Sequence, residues 1–320
     1  MSLLQIFLIV YLAAGVVYVG FVLSQRSFSI FMLPINILGG PLLALHYFIK
    51  YFLKKDAGPA KIRHKDILKG KKAVFFDLDG TIWDSDMLWV EAIEKVAVDN
   101  GLGKIDIRST YMPGTELVKI WKVLRAYNGF KFPDKKDPRT LARETEARMV
   151  ERINSSENIE LIEGFRDIAF FLKEEKGLKL GLVTNSSKEV AGALTQKAGI
   201  SYMFDLILTG SEISKKKPSP KIFLTAARKL HVSPKNVLVF EDSLSGSKAA
   251  WRAGMDQIII WRTDIPQVDY HGNIYGFYPD FESLDKIISA SSHQRVLEGI
   301  KHFRESKGIL DTPEEPQVNQ

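Results

Sequence analysis

Five short apolar runs, separated by longer helical patterns, constrain this chain more than any other feature. Ala73–Phe76, Leu178–Val183, Leu206–Leu208, Val237–Phe240 and Gln257–Ile260 read as buried strands. Helical patterns lie between them at Phe165–Glu175, Lys188–Ala198, Pro220–Leu230 and Ser245–Ala253. Strands alternating with helices predict an α/β fold with a parallel sheet covered on both faces. Such sheets hold their ligands beyond the carboxyl ends of the strands. Residues 85 to about 161 break the alternation. They carry helical periodicity at Met87–Asp99, Glu116–Tyr127 and Arg139–Ile153 and no convincing strand, so they read as a helical insert after the first strand.

The chain has 320 residues, which suggests about two domains. No cysteine is present, which excludes disulfides, thiolate metal sites and a cysteine nucleophile. The net charge of +6 has a local origin: between Lys54 and Lys72 there are eight basic and two acidic residues. The basic pI is therefore a collar and gives no reason to expect nucleic acid as a partner.

A mean hydropathy of −0.05 hides a very apolar start. Leu3–Leu23 is an uncharged run of 21 residues, and Ile30–Ile49 a second of 20. A spanning helix needs roughly 20 apolar residues. Pro34 and Gly39-Gly40-Pro41 would kink or break the second run, so one span or two remain open. No basic residue precedes Arg26, which argues against a cleaved signal peptide. The basic collar should stay on the cytoplasmic side, placing everything after it in the cytoplasm. The expected organisation is a membrane anchor at 1–53, a basic linker at 54–72, a catalytic core at 73–84 and 162–292, a helical cap at 85–161, and a C-terminal helix with a disordered tail at 293–320.

Four clusters sit at or just beyond strand ends. Asp77-Leu78-Asp79-Gly80-Thr81 puts two carboxylates two residues apart; alone it could be a solvated turn. Thr184-Asn185-Ser186 suits phosphate, or simply caps the next helix. Lys217-Pro218, beside Lys215 and Lys216, could be a solvated basic loop before a proline-started helix. Glu241-Asp242-Ser243 suits a hard cation with oxygen ligands, or again caps a helix. On a parallel sheet all four would converge on one crevice.

In that order, Phe76-Asp77-Leu78-Asp79-Gly80-Thr81, Val183-Thr184-Asn185, Lys217-Pro218 and Glu241-Asp242-Ser243, followed by Gly246, Ala249-Ala250 and Ala253-Gly254-Met255, resemble the four motifs of the haloacid dehalogenase superfamily. The variant with a helical cap after the first motif, the phosphoglycolate phosphatase and beta-phosphoglucomutase type, is the best match. The resemblance spans about residues 73 to 290. It implies a Rossmann-like core and phosphoryl transfer through an aspartyl phosphate.

On that resemblance Asp77 is the nucleophile and Asp79 the general acid and base. A magnesium ion would be held by Asp77, the Asp79 carbonyl and Asp242, with Glu241 acting through metal-bound water. Lys217, Thr184 and the Asn185 amide would hold the phosphoryl oxygens. A carboxylate ~3.3 Å from a phosphate dianion, at an effective dielectric of about 20, is repelled by roughly 10 kcal/mol, so this positive charge is essential. Asp79 also argues for a phosphate ester, because dehalogenases and phosphonate-cleaving relatives lack an aspartate there.

The expected protein is a membrane-anchored, magnesium-dependent phosphatase acting on a small-molecule or lipid-linked phosphomonoester. A phosphomutase and a catalytically silent, membrane-tethered binding protein are the alternatives. In the cap, Arg108, Tyr111, Lys119 and Arg125 could reach a substrate but are better read as surface or packing residues. Trp89, Tyr111, Trp121 and Tyr127 read as core. Oligomeric state stays open.

Overall fold

The computed structural model describes residues 67–102, 107, 114–128 and 136–288. The apolar runs at 3–23 and 30–49, most of the basic collar, the tail from residue 289, Arg108, Tyr111 and the Tyr127 side chain lie outside the described residues. Among the described residues no helix is long and apolar enough to cross a membrane.

Six parallel strands form one sheet in the order β3-β2-β1-β4-β5-β6. They are β1 (Ala73–Phe76), β2 (Lys179–Val183), β3 (Leu206–Leu208), β4 (Val237–Glu241), β5 (Asp256–Ile260) and β6 (Ile274–Tyr278). The first five match the apolar runs. The sixth was not expected: as an edge strand it buries only alternate residues, and Gly276 interrupts its apolar pattern.

The helices are α1 (Asp86–Asp99), α2 (Leu117–Asn128), α3 (Pro138–Ser155), α4 (Phe165–Phe170, continued by a wider turn to Glu175), α5 (Lys188–Lys197), α6 (Lys221–Lys229), α7 (Leu244–Arg252) and α8 (Phe281–Ile288). Each periodic segment read from the sequence lies within two residues of one of them. Local signals explain several starts. Asp137 caps α3 by accepting from the Arg139 and Thr140 amides, with Pro138 in the first turn, where no amide donor is needed.

The two faces of the sheet follow the period-two alternation of a strand. Val74 and Phe76 join Leu180, Leu182, Leu238 and Phe240 in one cluster, covered by apolar residues of α4, α5 and α8. Ala73 and Phe75 join Val237 and Val239 in the other, covered by α6 and α7. Beneath the carboxyl ends the first face is aromatic: Phe76 stacks on Phe240 at 4.9 Å and meets Phe165 edge-on at 5.5 Å. Between Asp86 and Ser155, helices α1–α3 build a third apolar cluster around Ile93, Trp121, Leu124 and Leu141. Trp121 is fully buried there, as the sequence reading expects, and its indole N–H donates to Thr145 Oγ1 at 3.1 Å.

Candidate active site

The sheet register brings the four clusters to one end. Phe76 pairs with both Leu182 on β2 and Phe240 on β4, so Asp77, Thr184 and Glu241 all leave the sheet on the same side. The Asp77 amide continues the ladder by donating to the Phe240 carbonyl at 3.0 Å. Lys217 comes from the loop between β3 and α6.

The solvated-loop reading of Lys217 fails, since the residue is 4% exposed. Its ammonium donates to Asp77 Oδ1 at 2.6 Å and to Glu241 Oε1 at 2.5 Å, and it stands 4.9 Å from the Phe223 ring centre. The Asn185 side chain grips the Lys217 backbone from both sides: Oδ1 accepts from its amide at 2.9 Å, and Nδ2 donates to its carbonyl at 3.3 Å. Burial alone would lower the Lys217 pKa, but the Asp77 and Glu241 carboxylates outweigh it and hold the ammonium charged.

Glu241 is fully buried. While Oε1 accepts from Lys217, Oε2 accepts from the Asp242 and Ser243 amides, both at 3.3 Å, and from the Ser243 hydroxyl at 3.1 Å. A methyl group on Gly246 would stand 1.9 Å from the Glu241 carboxyl carbon, so only glycine leaves room for this side chain. Helix α7 is capped by Ser243, which accepts from the Gly246 amide at 3.0 Å, and not by either acid.

Asp242 is buried and accepts from Thr81 Oγ1 at 3.0 Å. Gly80 makes room for it, since a Cβ there would lie 2.2 Å from Asp242 Oδ2. Tyr270, not singled out in the sequence, donates its hydroxyl to the Asp242 carbonyl at 2.6 Å. Burial pushes that phenol up to about 12, keeping it a donor at neutral pH.

Asp77, Glu241 and Asp242 each offer an oxygen within 4.8 Å of the others. Burial first, then Glu241 and Asp79, push the Asp77 carboxyl up to about 7 against the pull of Lys217. Burial, Glu241, Asp77 and Asp86 push Asp242 well above the usual carboxylate range. Buried oxygen donors in such mutual repulsion, with one ammonium among them, fit a hard divalent cation such as magnesium. Both Glu241 oxygens are already engaged, so Asp77 and Asp242 are the carboxylates left to hold it directly.

The Asp79 carboxylate lies outside that cluster and turns to three donors. Oδ1 accepts from Ser85 Oγ at 2.8 Å and from the Trp89 indole at 2.7 Å, and Oδ2 accepts from Ser186 Oγ at 2.5 Å. Trp89 is thus more than the core residue read from the sequence. It is buried, but it also reaches from α1 to the first motif. Thr184 is buried and accepts from the Ser186 amide at 3.0 Å, so its hydroxyl keeps its own hydrogen to donate. It does not cap α5; Ser187 does. Asp77, Asp79, Thr184, Asn185 and Lys217 line one cavity together with Trp89 and residues of α2 and α3. Lys119 and Arg125 are exposed on α2 and lie outside that lining.

Residues 74–260 match the haloacid dehalogenase-like hydrolase family. A phosphorylated carbohydrates phosphatase of Thermotoga maritima is 29% identical over 194 residues, covering 58% of this chain and 83% of that one. The fructose-1-phosphate phosphatase YqaB of Escherichia coli is 31% identical over 186 residues, covering 58% and 94%. Among solved structures, a beta-phosphoglucomutase of Clostridium difficile superposes with a TM-score of 0.52 at 25% identity, over 59% of this chain and 83% of that one. The stretch matched to the family, residues 74–260, includes Asp77, Thr184, Lys217 and Asp242. The chain belongs to the haloacid dehalogenase-like hydrolase family and is a phosphoric monoester hydrolase.

Proposed function

We propose that the chain hydrolyses a phosphorylated sugar through an aspartyl phosphate on Asp77. The observation that carries this reading is the Asp77 carboxylate held at 2.6 Å by a buried lysine, with Asp242 close by and Asp79 beside the same cavity. The sugar follows from the relatives, which act on phosphorylated carbohydrates and fructose 1-phosphate.

An Asp77 oxygen attacks phosphorus, and the bond from phosphorus to the sugar oxygen breaks. Asp79 gives its proton to that leaving oxygen. Water then loses a proton to Asp79 and attacks phosphorus, breaking the bond to Asp77 and releasing inorganic phosphate. Lys217 and the Thr184 hydroxyl donate to the phosphoryl oxygens throughout. Asp77 and Asp242, with the Asp79 carbonyl, would hold a magnesium ion, which would supply the positive charge that lets two anions meet. Glu241 keeps Lys217 aimed at Asp77.

Incubation with a hexose phosphate and magnesium tests the reading: inorganic phosphate should accumulate, and EDTA should stop it. The likeness to a beta-phosphoglucomutase supports a second reading, transfer of the phosphoryl group back to the sugar. An isomeric sugar phosphate in place of free phosphate would decide for it.

The apolar runs Leu3–Leu23 and Ile30–Ile49 and the adjacent basic collar support a membrane anchor with the catalytic part facing the cytoplasm. The full chain should sediment with membranes and resist alkaline extraction, and a chain starting near residue 60 should not. Equal rates on soluble and bilayer-embedded phosphates would remove the reason to consider a lipid-linked substrate.

A further inference from the structure

We propose that Glu146 on α3, with Glu116 just before α2, selects substrates whose leaving group carries no second negative charge. This rests on the phosphatase reading above and narrows its substrate class to monophosphates of neutral, polyhydroxylated compounds. Phosphorylated carboxylic acids and bisphosphates are disfavoured.

The cavity over Asp77 and Asp79 has two walls. On the wall built by α1, α2, α3 and the residues just before α2, the described lining residues include Trp89, Thr115, Glu116, Leu117, Ala142 and Glu146. Among these described residues the charged ones are both carboxylates. On the opposite wall Lys217 is committed to Asp77 and Glu241, and Lys216 is the other cation among the described lining residues.

Glu146 is half-buried. Desolvation raises its pKa, Lys216 pulls it down and Glu189 pushes it up, so Lys216 sits within electrostatic reach of this carboxylate. A phosphoryl group bound at Asp77 has Lys217, Thr184 and a cation to meet it. A second anion on the leaving group has Glu116 and Glu146 to face, with Lys216 already shared. Like charges brought together in a partly desolvated cleft are strongly disfavoured. Sugar hydroxyls meet the opposite situation, because carboxylate oxygens accept their hydrogens. The apolar Trp89, Leu117 and Ala142 leave surface for the C–H face of a sugar ring.

The test compares kcat/KM of the full chain for a hexose 6-phosphate, 2-phosphoglycolate and a hexose bisphosphate, with magnesium present. The hexose monophosphate should lead each of the others by at least about ten-fold. Glu146→Gln should narrow that ratio by at least about three-fold, and Glu146→Lys should narrow it further. The ratio is taken within one preparation, so a partly folded variant does not disturb it. Equal or reversed preference in the native chain, or an unchanged ratio in both variants, overturns this inference while leaving the phosphatase reading intact. Turnover of none of the three overturns both.

Discussion

The crevice and the helical region above it treat charge in opposite ways. At the carboxyl end of the sheet, Asp77, Lys217, Glu241 and Asp242 are all less than a tenth exposed, and the Lys217–Asp77 and Thr81–Asp242 contacts join loops more than a hundred residues apart. In α1–α3 the ion pairs lie in the open: Lys95 and Arg148 both hold Asp99, at 2.8 and 2.9 Å, and Arg148 also holds Glu151 at 3.0 Å. Exposed pairs gain little because water screens them, whereas buried charges cost much unless paired. The two regions therefore divide the labour. One spends stability on concentrated charge for chemistry. The other is a conventional apolar bundle that offers a surface to the substrate.

Removing the nucleophile tests this contrast most severely. Asp77→Asn should lower kcat by at least about a thousand-fold while the fold survives, as read by phosphate release and circular dichroism. Residual turnover near the native rate would rule out Asp77 as the attacking group. Lys217→Ala comes next. It leaves Glu241 buried without its cation and should cost about 3–5 kcal/mol in urea unfolding at neutral pH, besides abolishing activity. A loss below about 1 kcal/mol would mean the buried carboxylates do not need it.

Gly246→Ala should cost about 1–3 kcal/mol and weaken magnesium binding, since the new methyl group displaces Glu241. Calorimetric titration with magnesium reads the second effect.

A fourth test uses pH. Asp77 titrates near 7 in the metal-free fold against about 4 when unfolded, and Asp242 is shifted the same way. Between those limits the unfolded chain binds fewer protons, so the metal-free protein loses stability as pH rises from about 4 to 7. Lys217 stays charged throughout that window and does not counter the trend. Magnesium should therefore raise the melting temperature by several degrees more at pH 7.5 than at pH 5. A gain independent of pH would place the cation elsewhere. The smallest effect belongs to the exposed network: Arg148→Ala should leave the melting temperature within about 2 °C.

Legibility in the sequence divides along the same line. Residues that announce themselves by local pattern were readable. The strands β1 to β5, the helices α1 to α7 and the four polar clusters follow from apolar runs, helical periodicity and acids at strand ends, whereas α8 at Phe281–Ile288 was not read from the sequence. Strand β6 was not, because an edge strand with a central glycine lacks a continuous apolar run. Nor were the donors to Asp79. Ser85 and Trp89 lie six and ten residues beyond it, and Ser186 more than a hundred, so no periodicity links them. Asn185 was expected to meet phosphate through its amide, and the structure adds a side-chain clamp on Lys217 that only tertiary packing reveals. Tyr270 was invisible for the same reason.

The indole of Trp89 touches Asp79 directly, and its helix also contributes to the bundle. Indole emission responds to hydrogen bonding and to nearby charge, so this tryptophan is a built-in optical reporter. A stopped-flow fluorescence trace of the native chain, compared with Trp89→Phe, would follow Asp79 through a turnover without any added dye.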